Sequence, residues 1–491
     1  MPRSRASNFA RHAPHVVAAV AQRYFHAPQP TCGAPCSHAN ESILRLGGAI
    51  PYPRLLPPVS CSLVTRCRVP ANLDTVTAVG AEADPHSVGL SALAVERIWA
   101  SVERLYLSGV HPAIQLCIRR RGEVVLDRAI GHTAGNGPDD ADSEVKTLVT
   151  TETPICIFSA SKAVTAMLIH LLDERGLIRL DDPVCEYIPE FSVRSKQWIT
   201  IRHLLIHRAG IPNPPADVMD VDLLSQPDEI IRVLCGLPQT WRPGRQLASH
   251  AITGGFLLAE VIRRVTGRDI RQFLDEEIRR PLGFRYFNYG VAPADVPHVA
   301  RSYFTGPPPI PPLAYMLQRA LGLDFREVIR ISNDARFLTT IVPAGNVVAT
   351  ANEMSRFFQL LLGGGELDGV RVFSPRTIRR ATVEQSYFEI DWTLALPFRY
   401  SMGFMLGAEL FSLYGPDTRF VYGHLGFTNV VVWADPEREL AAALLTTGKP
   451  TLYLEILDAW NIMRTIAAEC SKTPAAKYSP AITVRRTAAA E

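Results

Sequence analysis

Strands are predicted near both ends of the chain, and helical patterning dominates the region between them. Ala113–Ile118 and Glu123–Asp127 are apolar, β-rich runs joined by a short turn, which predicts a β-hairpin. Arg419–Tyr422, Thr428–Trp433 and Glu439–Leu445 predict three more strands close to the other end. Strands at both ends of the chain with helices between them predict an α+β fold. In this fold, the two groups of strands pair in one antiparallel sheet, and helices cover its faces.

Helical segments surround these strands. Ser91–Leu107 and Leu452–Ala468 carry apolar residues at helical spacing, and residues 200–360 predict a mainly helical second lobe. Within that lobe, Thr350 and Glu353 have the spacing of a capping box that begins a helix. We therefore predict a folded region over residues 86–470, with tails at residues 1–85 and 471–491 that carry no such patterning.

Ser159-Ala-Ser-Lys162 places a hydroxyl and an amine one helical turn apart. An apolar, β-branched run precedes it, and a helical pattern that ends at Gly176 follows it. Residues i and i+3 share a helix face, so the Ser159 hydroxyl and the Lys162 amine can meet. A lysine that is partly buried there can lose its proton near neutral pH and activate the serine as a nucleophile. The alternative from these four residues alone is an N-cap serine beside a solvated lysine.

The positive charge of the chain is concentrated near its start. The first 80 residues hold eight arginines, no lysine and only two acids, whereas the whole chain has a net charge of +3. The catalytic region is therefore slightly acidic, and we expect no nucleic-acid partner. The arginine-rich start resembles an organellar transit peptide in composition, but a disordered extension is the favoured interpretation. Its longest apolar run is too short for a membrane span, so the expected location is cytoplasmic.

The nine cysteines are odd in number and scattered, which is typical of free thiols in a reducing compartment. Cys32 and Cys36 with His38, followed by Cys61 and Cys67, do not have the spacing of a standard zinc finger. We therefore expect no metal site and no cofactor.

Short motifs follow Ser159–Lys162 in a defined order along the chain. They are Leu180–Val184, Tyr187–Glu190, Thr200–Leu205, His207–Pro212, Pro243–Gly244, Leu257–Gly267, Pro281–Phe284, Pro343–Ala351, Gly365–Gly369 and Gly423–Gly426. The series covers roughly residues 87 to 468 and resembles the serine β-lactamase and penicillin-binding-protein superfamily, specifically its class C branch of β-lactamase-related esterases and D-peptidases. The resemblance implies a β-lactamase/transpeptidase-like fold and an acyl-enzyme mechanism.

The resemblance also implies roles for a segment near the end of the domain. His424 stands where lactamases usually have lysine and the esterase branch often has histidine. Gly426 would let the backbone approach a bound acyl group without a Cβ in the way. The backbone amides of Ser159 and Phe427 would form the oxyanion site.

The chain departs from the family at the tyrosine that shares protons with the lysine. The position expected for that tyrosine is Ser249, followed by His250. A serine hydroxyl has no accessible anion near neutral pH, so it cannot replace the phenol directly. His250 could turn inward as acid and base, or a water held by Ser249 could relay the proton. Alternatively, the site is impaired or inactive.

The substrate is less well determined by the sequence. A run of prolines between residues 307 and 312 predicts a stiff loop, and the apolar side chains that follow could line an acyl pocket or contact a lipid surface. We therefore expect a small-molecule ester or a lipid-like substrate. A D-peptidase or β-lactamase activity and a non-catalytic, β-lactamase-like role remain open, and the sequence does not determine the oligomeric state.

Overall fold

The computed structural model describes residues 65–211, 221–250, 252–311, 313–451 and 455–473. Its strands are β1 (Thr77–Val79), β2 (Ala113–Arg120), β3 (Glu123–Ala134), β4 (Thr147–Leu148), β5 (Ile155–Cys156), β6 (Asn288–Tyr289), β7 (Tyr303–Phe304), β8 (Val347–Ala349), β9 (Glu366–Leu367), β10 (Val370–Arg371), β11 (Ser386–Asp391), β12 (Leu396–Tyr400), β13 (Met405–Leu406), β14 (Tyr422–Leu425), β15 (Val431–Asp435), β16 (Leu440–Thr446) and β17 (Gly448–Lys449).

The helices follow the same chain order. They are α1 (Ala92–Leu107), α2 (Ser161–Glu174), α3 (Ile201–Leu205), α4 (Val221–Leu224), α5 (Pro227–Gly236), α6 (Thr253–Thr266), α7 (Ile270–Leu274), α8 (Leu313–Leu321), α9 (Phe325–Ser332), α10 (Ala335–Thr339), α11 (Ala351–Leu362), α12 (Pro375–Ala381) and α13 (Ile456–Glu469). The helices α3 to α10 lie in the predicted second lobe, and the predicted capping box of Thr350 and Glu353 begins α11.

The main sheet has ten strands in the order β1-β3-β2-β16-β15-β14-β13-β12-β11, with β4 added beside β3. Its strand pairs are antiparallel, and β2 near the start of the domain pairs with β16 near its end, from Ile114 opposite Thr446 to Arg120 opposite Leu440. The predicted α+β fold, with a sheet completed by both ends of the domain, is confirmed.

Alternate side chains of the central strands point to opposite faces of the sheet, as the pleat requires. On one face, Leu116 and Trp433 pack in a core with side chains of α1 and α13. On the other face, Cys117 and Val432 pack in a larger core with α2, α11 and the helical lobe. Because both faces are covered, β15 and β16 are continuous apolar runs up to their last residues, Asp435 and Thr446, rather than alternating with polar residues.

Two predicted strands begin later than expected. β15 begins at Val431 rather than at Thr428, because Thr428 and Asn429 have left-handed φ values of 43° and 50°. The run Arg419–Tyr422 has β-rich composition, but β14 begins only at Tyr422. The residues before it form a turn in which the Val421 N–H donates to the Thr418 carbonyl at 3.1 Å. Asp417 has a left-handed φ of 56° at the start of this turn, so the chain changes direction there and cannot be extended.

The domain begins earlier in the chain than the predicted boundary at residues 85 and 86. β1 pairs with β3, from Thr77 opposite Ile130 to Val79 opposite Arg128. Upstream of β1, the Cys67 N–H donates to the Gly109 carbonyl at 2.8 Å. A three-residue edge strand is too short for sequence periodicity to reveal, which explains the difference. The prediction of a disordered extension concerns residues 1–64 as well, and these lie outside the described residues.

A chain that begins at residue 86 is expected to be less stable than one that begins at residue 65. The shorter chain loses the backbone pairing of β1 and the buried side chain of Val76. Burial of a valine contributes about 2 kcal/mol, and each hydrogen bond adds about 1 kcal/mol, so the free energy of unfolding should fall by at least about 3 kcal/mol. Urea unfolding of both chains tests this, and equal midpoints would contradict it.

The end of the domain also extends past its predicted limit. Residues 471–473 contact the sheet: the Ser471 carbonyl accepts from Arg120 Nη2 at 2.9 Å, and the Thr473 N–H donates to the Glu437 carbonyl at 2.8 Å. The rest of the predicted tail, residues 474–491, lies outside the described residues. In the ranges described here, no helix is both long enough and apolar enough to cross a membrane.

The cysteines in the described part of the chain are free thiols, and five of these six are buried. No group of metal-ligating side chains is found among those residues. Cys32, Cys36, His38 and Cys61, where we expect no zinc site, lie outside the described residues.

Candidate active site

The proposed nucleophile lies in a tight turn between a strand and a helix. β5 pairs with β8, and after it Phe158 adopts a left-handed φ of 49° that turns the chain into a short 3-10 segment, Phe158–Ala160. The Ser161 hydroxyl stabilises the turn by donating to the Phe158 carbonyl at 2.5 Å and accepting from the Val347 N–H at 2.9 Å. Ser159 is therefore held at the start of α2 without being its N-cap, which is Ala160.

Lys162 meets Ser159 as the spacing predicts. Its Nζ atom lies 2.9 Å from the Ser159 Oγ atom and 3.4 Å from the carbonyl oxygen of Ala344. Removal of the amine from water lowers the pKa of Lys162 to about 7, although the negative charge of Asp391 acts in the opposite direction. A large fraction of Lys162 is therefore neutral near pH 7 and can accept the Ser159 proton.

The segment from His424 to Phe427 lies beside the nucleophile turn. A Cβ on Gly426 would stand 2.4 Å from the Ile157 carbonyl oxygen, so only glycine permits this approach. The ring centroids of Phe158 and Phe427 are 5.3 Å apart. Residues 426 and 427 are thus adjacent to the turn that carries Ser159, as an oxyanion site shared by the two segments requires.

His424 is buried near the end of β14. Its Nδ1–H donates to the carbonyl of Leu425 at 2.7 Å, which assigns the proton to that nitrogen. Burial, together with the charge of Lys162, lowers the pKa of His424 to about 3. His424 is therefore a neutral imidazole close enough to Lys162 to interact with it electrostatically.

Ser249 belongs to a buried cluster that the sequence analysis missed. Its hydroxyl donates to Asp391 Oδ2 and lies 3.0 Å from the phenol oxygen of Tyr400, and its N–H donates to Asp391 Oδ1 at 3.0 Å. The Tyr400 hydroxyl also donates to Asp391 Oδ2 at 3.0 Å. The hydrogen bonds of Lys162, by contrast, go to Ser159 and Ala344.

His250 lies on the side of the segment that faces Lys162. The two residues line one cavity of about 30 Å³, which is large enough for a water molecule. The His250 ring nitrogens are buried, and among the described residues they have no hydrogen-bond partner of normal geometry. Burial lowers the pKa of His250 to about 4. A Cβ on Gly254 would stand 3.0 Å from Nδ1, so the helix α6 leaves only limited space for this ring.

A second histidine supports His250. The backbone N–H of His250 donates to the ring nitrogen Nδ1 of His207 at 3.3 Å, and the centroids of the two imidazole rings are 5.4 Å apart. His207 has a left-handed φ of 59°, and burial holds its pKa well below its usual value. The family motif included His207, but the spacing gave no indication that its ring would contact the His250 segment. Asp391 and Tyr400 follow Ser249 by 142 and 151 residues, so no local pattern could have identified them.

A second cavity, which we call the apolar pocket, has Ser159 in its lining and measures about 100 Å³. It is lined by Phe158, Ser159, Leu224, Ile252, Leu321, Leu323, Val328, Ile331, Ser332, Phe337, Val342, Ala344, Gly345 and Phe427. Ser159 and Ser332 contribute the polar side chains among these residues. Of the apolar residues predicted after the proline run, Leu321 lines the pocket, whereas the side chain of Tyr315 is exposed.

The chain is similar in sequence to one protein family and to several known proteins. The beta-lactamase family model matches residues 94–465. The chain is 30% identical over 335 residues to the esterase/beta-lactamase LipL of Mycobacterium tuberculosis, which covers 64% of this chain and 75% of that protein. It is 28% identical over 211 residues to the esterase EstB of Burkholderia gladioli, covering 39% of this chain and 50% of that protein.

Solved structures agree with the sequence matches. A penicillin-binding-protein homologue from Caulobacter crescentus superimposes with a TM-score of 0.66 at 25% identity, covering 78% of this chain and 99% of that one. A family VIII carboxylesterase shares the fold, with a TM-score of 0.65 at 24% identity over 76% of this chain and 98% of that one. The chain therefore belongs to the beta-lactamase family, within the superfamily of serine β-lactamases and penicillin-binding proteins.

Proposed function

We propose that this chain is a serine hydrolase that cleaves carboxylic esters through an acyl-enzyme on Ser159. The observation that carries the proposal is the 2.9 Å contact between Lys162 Nζ and Ser159 Oγ, made by an amine whose pKa is about 7. A nucleophile within hydrogen-bond reach of a base that is neutral near pH 7 is the arrangement that covalent catalysis needs. The esterases among the relatives support the same reaction class.

The chemistry proceeds in two steps. Ser159 Oγ attacks the ester carbonyl carbon while its proton moves to Lys162 Nζ, and the carbonyl oxygen takes up the negative charge. The bond to the alcohol then breaks, and the leaving oxygen receives that proton. In the second step a water molecule attacks the acyl-enzyme, gives a proton to Lys162, and releases the acid while Ser159 recovers its hydrogen. The backbone amides of Ser159 and Phe427 would hold the oxyanion in both steps.

His250 is the proposed proton carrier beside Lys162. A neutral imidazole can accept a proton at one nitrogen and donate from the other. The cavity shared by His250 and Lys162 has room for one water molecule to connect them. His250 would in this way perform the transfer that the family assigns to a tyrosine phenol.

His250→Ala is expected to lower kcat for ester hydrolysis by about 10²-fold, because general acid–base assistance is typically worth at least that much. The measurement is steady-state hydrolysis of p-nitrophenyl butyrate. His298→Ala is the matched control, because His298 is exposed and pairs with Asp295 at the surface. A folded His250→Ala protein with the wild-type kcat would show that another group carries the proton.

The apolar pocket favours an ester with a small, neutral acyl group. The described residues that line it include no charged side chain, so the carboxylate of a peptidoglycan stem would find no cation there. Its volume of about 100 Å³ accommodates a short chain more readily than a long one. These features support an ester substrate over the D-peptidase alternative.

Narrowing the apolar pocket should therefore change chain-length preference. Ile331→Phe is expected to lower kcat/KM for p-nitrophenyl butyrate by about tenfold relative to the acetate, because a well-matched methylene contact is worth about 1–3 kcal/mol. Ile331→Val, which leaves the pocket open, serves as control. A uniform loss on both esters would mean that the acyl chain binds elsewhere.

Labelling with a fluorophosphonate tests the proposed function directly. Intact-mass and peptide analysis of the wild-type protein should show one adduct, located on Ser159. A folded protein that gains no adduct at Ser159 would support the non-catalytic alternative. Rapid hydrolysis of a β-lactam or a D-alanyl dipeptide without ester hydrolysis would support the peptidase or lactamase alternative.

A further inference from the structure

The turn between β11 and β12 is built around one buried carboxylate. Asp391 is fully buried, and its Oδ1 atom accepts from the N–H groups of Thr393 at 2.9 Å and Leu394 at 3.2 Å. The same carboxylate accepts from the N–H and hydroxyl of Ser249 and from the hydroxyl of Tyr400. Five hydrogen-bond donors thus converge on the two oxygens of Asp391.

The hairpin is attached to the His250 segment at two places. Besides the bonds from Ser249 to Asp391, the Trp392 N–H donates to the Leu247 carbonyl at 2.9 Å. Residues 247–250 are therefore held against the edge of the sheet on one side. On the other side, His250 faces the cavity it shares with Lys162. The position of the His250 ring consequently depends on the hairpin.

The ionisable side chains around Lys162 include neutral rings and one carboxylate. His207, His250 and His424 interact with Lys162, but burial lowers the pKa of each ring, so all three are neutral at pH 7. Burial also raises the pKa of Tyr400 well above its usual value, which keeps the phenol protonated. Among the described residues, the negative charge of Asp391 raises the pKa of Lys162 and so partly offsets the lowering caused by burial.

We propose that Asp391 is a positioning residue for this active site, which holds the Ser249–His250 segment and acts as counter-charge for the proton that leaves Ser159. The inference rests on the proposed function. When Ser159 attacks the ester, Lys162 becomes an ammonium ion in a site of low polarity. The Asp391 carboxylate stabilises that cation without contacting the substrate. Ser249 is then a structural hydroxyl that binds Asp391, and it is not itself the proton carrier.

The pH dependence of kcat/KM tests this assignment. Lys162 must be neutral to act as base, so activity should fall on the acid side of its pKa. Asp391→Asn removes the charge that favours the ammonium form, so this acid limb should move to lower pH by about one unit. The matched control is Glu389→Gln, which neutralises a carboxylate on the same strand that pairs with Arg208. That control should leave the limb unmoved.

The outcomes separate the inference from the proposed function. A wild-type protein that neither hydrolyses esters nor accepts a fluorophosphonate at Ser159 would overturn both. An active wild type with the same acid limb in folded Asp391→Asn would overturn the inference alone, because a purely structural role lowers activity without moving the limb. A shift in Glu389→Gln as large as that in Asp391→Asn would likewise overturn it.

Tyr400→Phe keeps the test decisive if Asp391→Asn does not fold. This variant keeps the Asp391 carboxylate but removes one of the five hydrogen bonds that it accepts. The negative charge of Asp391 then acts more strongly on Lys162 and raises its pKa, so the acid limb should move to higher pH. A limb that stays in place or moves lower in folded Tyr400→Phe would overturn the inference.

Discussion

Ser159→Ala is expected to abolish ester hydrolysis, with a loss of at least about 10³-fold in kcat, because no acyl-enzyme can form without the hydroxyl. The fluorophosphonate adduct should disappear as well. The protein should remain folded, since the turn is held by the hydrogen bonds of the Ser161 hydroxyl and the N-cap of α2 is Ala160. Rates on p-nitrophenyl butyrate and a thermal unfolding curve measure both effects.

Ser332→Ala is the matched control for this experiment. Ser332 also lines the apolar pocket, but its hydroxyl donates to the Ile329 carbonyl at 2.8 Å. Its replacement removes the same hydroxyl group from the same cavity and should leave labelling at Ser159 intact. Hydrolysis that persists in Ser159→Ala, with a covalent intermediate elsewhere, would contradict the assignment of the nucleophile.

Lys162→Ala should be nearly as damaging, because the serine loses the base that accepts its proton, a function typically worth about 10²–10⁴-fold. The wild-type enzyme should show a matching pH dependence. Because the pKa of Lys162 is about 7, the amine is increasingly protonated below that pH and kcat/KM should fall about tenfold for each further unit. Above the pKa the amine is neutral and the rate should reach a plateau.

Hydrolysis measured from pH 5 to 9 checks both statements about Lys162. Lys146→Ala serves as control, because this lysine is exposed. If the acid limb persisted unchanged in an active Lys162→Ala protein, a different group would be responsible for it. The base would then have to be sought among the buried histidines of the site.

The fold was predictable to the extent that it depends on local patterns. The start of the β2–β3 hairpin, α1 and the capping box at Thr350 were predicted close to their observed positions, whereas β3 continues to Ala134, well beyond its predicted end at Asp127. The edge strand β1 was missed, because three residues carry no periodic signal. The start of β14 was misplaced because β-rich composition does not reveal the turn at Asp417.

The sequence by itself determined the pair of Ser159 and Lys162, because residues three apart on a helix meet whatever surrounds them. Only the tertiary structure decided what that pair can do. The lowered pKa of Lys162 comes from burial among distant segments, and Asp391 and Tyr400 reach Ser249 from another hairpin. The apolar pocket likewise combines residues of α4, α9 and the loop after β14. Desolvation and charge depend on distance in space, which spacing along a chain does not record.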